Sequence, residues 1–334
     1  MTVTVAVDAN GADLGPAEVA AGAAIAASRG VRVKLFGPAA QAGDPAPGVE
    51  LVDAPLSVAK DPDPARAVRA NPDSSIARAA SAVSSGEADA LVAGGSTGAV
   101  LAAGLFEIKR ASGIYRPALA IPVPVPDHPV TLLDVGANAE VRSEHLVQFA
   151  YMGAAFATSV LGVANPRVAL LSNGEEPSRG TPEVVEAHEQ LAAGSGLDFV
   201  GNVEGTDLTS GVADVVVTDG FTGNIAIKLS EGVSATMIAA IRSRVESSLR
   251  SKVGGLLIRP ALRGLRDELD PEASGGAYLL GLRSVVVVPH GRFTRNGYAN
   301  AILLAARAVE DDIARRTHAA LEAAGALRRR GPAS

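Results

Sequence analysis

The chain has 334 residues, 47% of them hydrophobic, a formal net charge of −6 and no cysteine. That length buries a large core, the acidic balance gives no global attraction to nucleic acid, and the lack of thiols excludes disulfides, thiolate catalysis and cysteine-ligated metals. Met1 to Asp8 carries an acid where a secretory leader is apolar, and no apolar run reaches the roughly eighteen residues of a membrane span, so a cytoplasmic protein is expected.

Taken in order, Thr2 to Val7 reads as a buried strand, with the turn Asp8-Ala-Asn-Gly-Ala-Asp13 after it. Pro16 opens an alanine-rich helix to Ser28. Val31 to Phe36 and Val49 to Val52 are strands, separated by a loop from Pro38 to Pro47. Pro55 to Pro72 is broken by prolines, with a short helix near Ala65 to Arg69, and Asp73-Ser-Ser75 caps a helix to Ser85. A strand, a glycine turn and a helix to Ala111 follow. Pro117 to Pro129 is a proline-dense connector, where a crossover between two lobes is expected. Val130 to Leu133, Arg167 to Leu171, Asp198 to Val200, Val215 to Val217 and Val285 to Val288 are further strands. Helices are expected at Ser143 to Leu161, Thr181 to Gly194, and Asn300 to Ala324. This alternation predicts an α/β fold, a largely parallel sheet covered by helices on both faces. It gives one large unit over residues 1–310, a helical arm at 233–268, and a helix end with a disordered tail at 311–334.

One pattern occurs twice. Ala88-Asp-Ala-Leu-Val-Ala-Gly-Gly-Ser-Thr-Gly-Ala-Val100 and Ala213-Asp-Val-Val-Val-Thr-Asp-Gly-Phe-Thr-Gly-Asn-Ile225 share Ala-Asp, one valine and Gly-x-Thr-Gly at matched offsets. Each reads as strand, turn, helix. Backbone N–H groups at such a helix start suit an anion; alternatively Thr97 and Thr222 cap helices and the glycines only permit the turn. In parallel sheets ligands sit beyond the carboxyl ends of the strands. Those ends carry Asp8, Asn10, Asp13, Ser96, Thr97, Asp134, Asn138, Asn173, Glu175, Asn202, Glu204, Asp219, Thr222, Asn224 and His290, which are expected on one rim. Lys228 lies one helical turn past Asn224, either reaching back to the turn or solvated. His290 reads as a proton donor, an anion ligand or a structural histidine; Glu175 and Glu176 as catalytic acids or partners of a helix dipole. The histidines show no metal spacing, and no nucleotide-binding glycine motif is present.

Several blocks together resemble the bacterial phosphate acyltransferases of phospholipid synthesis. They are Arg116-Pro-Ala-Leu119, Asp134-Val-Gly-Ala-Asn138, His145-Leu-Val-Gln-Phe-Ala with Met152-Gly153, Gly174-Glu-Glu176, Val200-Gly-Asn-Val-Glu-Gly205, Asp219-Gly-Phe-Thr-Gly-Asn224 with Lys228 and Glu231-Gly232, and Leu279-Leu-Gly-Leu282 with His290-Gly291. The resemblance runs from residue 2 to about residue 310. The chain departs from the family pattern at several places: Gly95-Ser-Thr-Gly98 replaces Gly-Asn-Thr-Gly, Tyr278 replaces a proline, and Arg292 and Phe293 replace a pair of serines.

What the resemblance implies is an isocitrate/isopropylmalate-dehydrogenase-like fold, a homodimer, and action at the inner face of the cytoplasmic membrane. The implied reaction takes acyl-ACP and inorganic phosphate to acyl phosphate and free ACP without coenzyme, the product passing to a membrane glycerol-3-phosphate acyltransferase. On that reading Gly95, Ser96, Thr97, Gly98, Gly220, Thr222, Gly223, Asn224 and Lys228 surround phosphate, and Asn138, Glu175 and His290 lie nearer the carbonyl. Between Arg242 and Arg266 seven basic residues face one acid, Glu246. With Val253, Leu256, Leu257 and Ile258 around Gly254-Gly255 and Pro260, they predict two helical arms with an apolar tip for anionic lipid, or else a dimer contact. A phosphotransacetylase acting on acyl-CoA and an inactive homologue that organises lipid enzymes are the rival functions.

Overall fold

Four consecutive valines, Val285 to Val288, show how the core is built. They form a strand in which Val285 and Val287 enter one apolar layer and Val286 and Val288 the other. Side chains alternate across a strand, so a run that is apolar throughout is buried on both faces. Each such valine contributes about 1.5–3 kcal/mol on burial. The computed structural model describes residues 2–123, 125, 130–268 and 270–328.

In chain order the elements are β1 (Thr4–Asp8), α1 (Pro16–Ser28), β2 (Arg32–Gly37), α2 (Ala39–Ala42), β3 (Val49–Asp53), α3 (Pro64–Ala70), α4 (Ser75–Ser84), β4 (Ala90–Ala93) and α5 (Thr97–Ala103), which a π-helical turn extends to Ile108. Then come β5 (Ala118–Val123), β6 (Val130–Leu133), α6 (Ser143–Val160), β7 (Arg167–Leu171), α7 (Pro182–Ala192), β8 (Asp198–Val203), β9 (Val215–Val217), α8 (Gly220–Glu246) and α9 (Leu249–Glu268). The chain closes with α10 (Pro271–Ser274), β10 (Ala277–Leu280), β11 (Val285–Val288), α11 (Arg295–Glu310) and α12 (Ile313–Ala323).

The eleven strands of the described residues join one sheet in the order β3-β2-β1-β4-β11-β10-β5-β6-β9-β7-β8. Among the described residues seven of the ten strand pairings are parallel, and β11-β10, β10-β5 and β5-β6 are antiparallel. Helices α1, α6, α7, α11 and α12 supply apolar residues to one face, and α3, α4 and α5 to the other. The expected α/β class with a largely parallel sheet is therefore found.

Four local readings change. The connector expected at Pro117 holds β5, and β10 is a strand that the sequence reading passed over. The final helix breaks in two, because Asp312 takes a left-handed conformation with φ of 54° between α11 and α12. Leu321 of α12 is fully buried, so that helix belongs to the core. The second half of the proline-dense connector and the tail beyond Arg328 lie outside the described residues.

Helices α8 and α9 form a hairpin with Gly255 set against Val245. The break lies at Ser247-Ser248, and α9 runs on through Gly254, Gly255 and Pro260. The sequence placed the break at those glycines; helix context overrides their weak propensity. Twelve of the sixteen exposed large hydrophobics among the described residues lie on these two helices. On α8 they recur every fourth residue as Phe221, Ile225, Leu229, Val233, Met237 and Ile241. On α9 the face is Leu249, Val253, Leu256 and Leu257, with Leu249 83% and Leu257 77% exposed. No described helix is long and apolar enough to cross a membrane.

Candidate functional site

Strand direction decides where the polar strand ends go. Through the antiparallel strands β10 and β5, the half β3-β2-β1-β4-β11 runs opposite to β6-β9-β7-β8. The carboxyl ends of the two halves thus leave the sheet at opposite edges. The expected single rim is corrected to two clusters.

The first cluster gathers the ends of β1, β4 and β11. Gly95, with φ of 91°, lies so close to β1's loop that a Cβ would stand 1.9 Å from the Gly11 carbonyl oxygen. Ser96 is the N-cap of α5 and accepts from Ala99 N–H at 3.3 Å. Thr97 follows as the first helical residue, and Gly98 packs beside Pro64. Asp13 N–H donates to the Gly291 carbonyl at 2.8 Å, which brings His290 to the same cluster. His290 is exposed, and its Nδ1 accepts the Arg292 N–H at 3.2 Å. With Nδ1 accepting, a neutral ring carries its proton on Nε2, the nitrogen free to donate.

Two further groups belong here: Asp8, which was expected at the strand ends, and Tyr298, which the sequence did not single out. Asp8 is buried, accepts from Asn10 N–H at 3.1 Å and from Ser75, and burial pushes its carboxyl up from 3.8 to about 6. Tyr298 of α11 is fully buried beside Gly94, and its hydroxyl has no partner among the described residues. Burial raises that phenol, and the charges of Asp8 and Asp13 add to the effect. No sequence signal marked Tyr298, since a tyrosine on an amphipathic helix reads as core.

The second cluster joins β6 and β9. The buried Asp134 carboxylate accepts N–H bonds from Leu119, Gly136, Ala137 and Asn138 at 2.7–3.1 Å. Burial raises this carboxyl, and those donors oppose the rise. Asn138 is buried too. Its amide donates to Asp134 at 2.8 Å and to the Pro117 carbonyl at 2.7 Å, so both hydrogens are spent on holding the loop. Gly220 N–H donates to the Asn138 carbonyl at 2.7 Å. At Gly223 a Cβ would stand 2.0 Å from the Asp134 carbonyl oxygen, so only glycine fits.

The two turns differ in their caps. Asp219, not a threonine, caps α8, accepting from the N–H groups of Phe221 and Thr222 at 2.9 Å each and from the Thr222 hydroxyl at 2.7 Å. Gly94 occupies the matching place in the first copy and has no side chain to cap with. Helix α8 therefore starts two residues earlier in the pattern than α5. Asn224 is half-buried, and Lys228 is exposed without a side-chain partner among the described residues. Glu175 is exposed in a loop that Asn202 tethers, its amide donating to the Glu176 carbonyl at 2.9 Å. No group of three or more potential metal ligands occurs among the described residues.

A family model described as "Fatty acid synthesis protein" matches residues 3–316. The phosphate acyltransferase of Desulforudis audaxviator is 44% identical over 313 residues, covering 92% of this chain and 93% of that relative. That of Lactococcus lactis subsp. cremoris is 40% identical over 316 residues, covering 92% and 96%. Among solved structures, a phosphotransacetylase from Streptococcus pyogenes superposes with a TM-score of 0.58 at 18% identity, over 92% of this chain and 94% of that one. A branched-chain phosphotransacylase from Enterococcus faecalis does so at 0.58 and 17%, over 92% and 99%. At such identity the structural likeness is one of fold. The match along nearly the whole length, taking in both glycine turns and the loops that grip them, places the chain in the fatty acid synthesis protein family, the family of the phosphate acyltransferases.

Proposed function

We propose that this acyltransferase moves an acyl group from acyl-ACP to inorganic phosphate, releasing acyl phosphate and free ACP for phospholipid synthesis. The observation that carries the reading is the family match over residues 3–316, which spans every block named above. A phosphate oxygen attacks the thioester carbonyl, and charge gathers on the carbonyl oxygen. The carbon–sulfur bond breaks, the leaving thiolate takes the proton given up by the newly esterified hydrogen phosphate, and the His290 Nε2–H donates a hydrogen bond to the departing sulfur. Backbone N–H groups at a glycine turn are suited to phosphate or to the oxyanion. Phosphate is partly dianionic near neutral pH, so it needs placement more than a base.

The two clusters form two walls of one cleft on this reading. Adjacent strands rotate by roughly 20–25°, so five steps from β4 to β9 turn the sheet by about 100–125°. Two carboxyl edges that start out opposed are thereby swung toward a common side. Asn138 then positions the Gly220 to Asn224 turn, so that Ser96 and Thr97 face the cleft from one wall, Thr222, Asn224 and Lys228 face it from the other, and Glu175 borders the carbonyl. Thr97→Val and Thr222→Val are each expected to lower kcat/KM for phosphate by about 1–3 kcal/mol. Steady-state kinetics of acyl phosphate formation at varied phosphate checks both. An effect in one variant only confines the site to one edge, and none in either leaves the threonines as turn residues.

The arm supports two further assignments. The α8 stripe is the face for a second copy of the chain, and the α9 face, flanked by arginines, is the face for anionic membrane. A cytoplasmic enzyme held peripherally at the membrane, passing its product to a glycerol-3-phosphate acyltransferase there, follows from that arrangement. It needs no coenzyme and no metal.

A further inference from the structure

The block His145-Leu-Val-Gln-Phe-Ala lies in the first turns of α6, and none of its side chains enters the chemistry above. Gln148 is 1% exposed, yet both ends of its amide are engaged. Its Oε1 accepts the Tyr115 N–H at 2.7 Å. Its Nε2 donates to the carbonyls of Gly113 at 3.1 Å and of Ala326 at 2.9 Å, the latter 178 positions along the chain. A leucine would serve the apolar face of α6 equally well at this place. A buried amide is tolerated only when its donors and acceptor are paired, as they are here. Two of its three bonds go to the segment that leads into β5.

That segment is held by several groups at once. The Arg110 guanidinium donates to the carbonyls of Ile114 and Tyr115. The Tyr115 ring meets His145, with 5.9 Å between centroids, and the Arg328 guanidinium at 5.8 Å, within cation–π range. Arg328 N–H also donates to the Gly113 carbonyl at 2.8 Å. Two residues after Tyr115, the Pro117 carbonyl takes the Asn138 amide, and the Asn138 carbonyl takes the Gly220 N–H. Three hydrogen bonds and short stretches of backbone thus connect Gln148 through Tyr115, Pro117 and Asn138 to the first residue of α8. This path ends at the turn that carries Thr222 and Asn224. It includes none of the groups at Gly95 to Gly98, which belong to the other cluster.

We propose that Gln148 is a positioning residue for the transfer reaction: by fixing Tyr115 to Pro117 it holds Asn138, and through Asn138 the Gly220 to Asn224 turn. Its part in catalysis rests on the transfer reading above; its hold on the turn does not. Hydrogen exchange of the full chain, read by mass spectrometry at residues 95–98 and 219–224, tests the hold. Gln148→Leu keeps the apolar packing and deletes all three bonds. It is expected to speed exchange at 219–224 at least about ten-fold, the effect of one buried bond, and to leave 95–98 within about two-fold of wild type. Wild-type exchange at 219–224 in folded Gln148→Leu, or equal acceleration at both turns, overturns the proposal. Should that variant fail to fold, Gln148→Asn decides, because it keeps the amide but falls one methylene short of Tyr115. The same selective acceleration is expected there, and unchanged exchange overturns the proposal. Steady-state kinetics of the same proteins reads the catalytic part. In Gln148→Leu the kcat/KM for phosphate is expected to fall about ten- to a hundred-fold, with the KM for acyl-ACP within about two-fold of wild type. A turn that loosens while phosphate kinetics stay unchanged refutes the positioning role in catalysis. A wild type that makes no acyl phosphate, with the selective exchange as expected, refutes transfer alone.

Discussion

A carboxyl held at about 6 makes Asp8 a measurable feature of the fold. Its folded value lies above the unfolded 3.8, so the folded state binds the extra proton between those values. Stability from this group is therefore present at low pH and lost as pH rises from about 4 to about 6, by about 3 kcal/mol at most. Urea unfolding at pH 4 and pH 7 is expected to show that loss in wild type relative to Asp8→Asn; equal pH dependence in the two contradicts it. Two glycines separate packing from propensity in the same way. Gly223→Ala drives a methyl into the Asp134 carbonyl and is expected to cost about 3 kcal/mol. Gly232→Ala, in open space on α8, is expected to add about 1 kcal/mol. At this scale the sequence shows which residue types stand at strand ends, but not which way they point. Asn138 was legible as a polar residue in a loop, whereas its inward amide depends on Pro117, twenty-one positions away. Tyr298 meets the β1 and β4 loops only because α11 folds back across the whole chain.

Among the elements, the hairpin of α8 and α9 has the most testable surface. Leu257→Glu is expected to reduce sedimentation with anionic liposomes while the dimer survives, and Leu229→Glu to break the dimer. Binding to vesicles should also fall with added salt. If Leu257→Glu still sediments fully, or loses its dimer instead, the α9 face is not the membrane contact. The basic, apolar character of this arm was readable from composition, but its turn was not, since Ser247-Ser248 is a weaker break signal than Gly254-Gly255. The two strands that the sequence concealed have physical causes as well. Pro122 within β5 removes a backbone donor and argues against a strand, yet Pro122 sits opposite Thr131 in the pairing with β6. β10 has only four residues and runs straight into the Gly281 turn.

Those two strands also set the form of the whole molecule. Strand, turn and helix read the same in either direction of a sheet, so the repeated Gly-x-Thr-Gly unit was visible and its orientation was not. The reversal is made at β11-β10, β10-β5 and β5-β6, which separates the two turns by five strand steps, roughly 24 Å of sheet at the usual spacing. Family membership survives that correction because it rests on the matched blocks and not on their geometry. The most direct test of the account mixes the purified protein with long-chain acyl-ACP and inorganic phosphate, without metal or nucleotide, and measures acyl phosphate by trapping with hydroxylamine. The account predicts acyl phosphate and free ACP in equal amounts, both rising with phosphate and neither formed in its absence. Release of ACP that is independent of phosphate, or turnover of acyl-CoA alone, would contradict it.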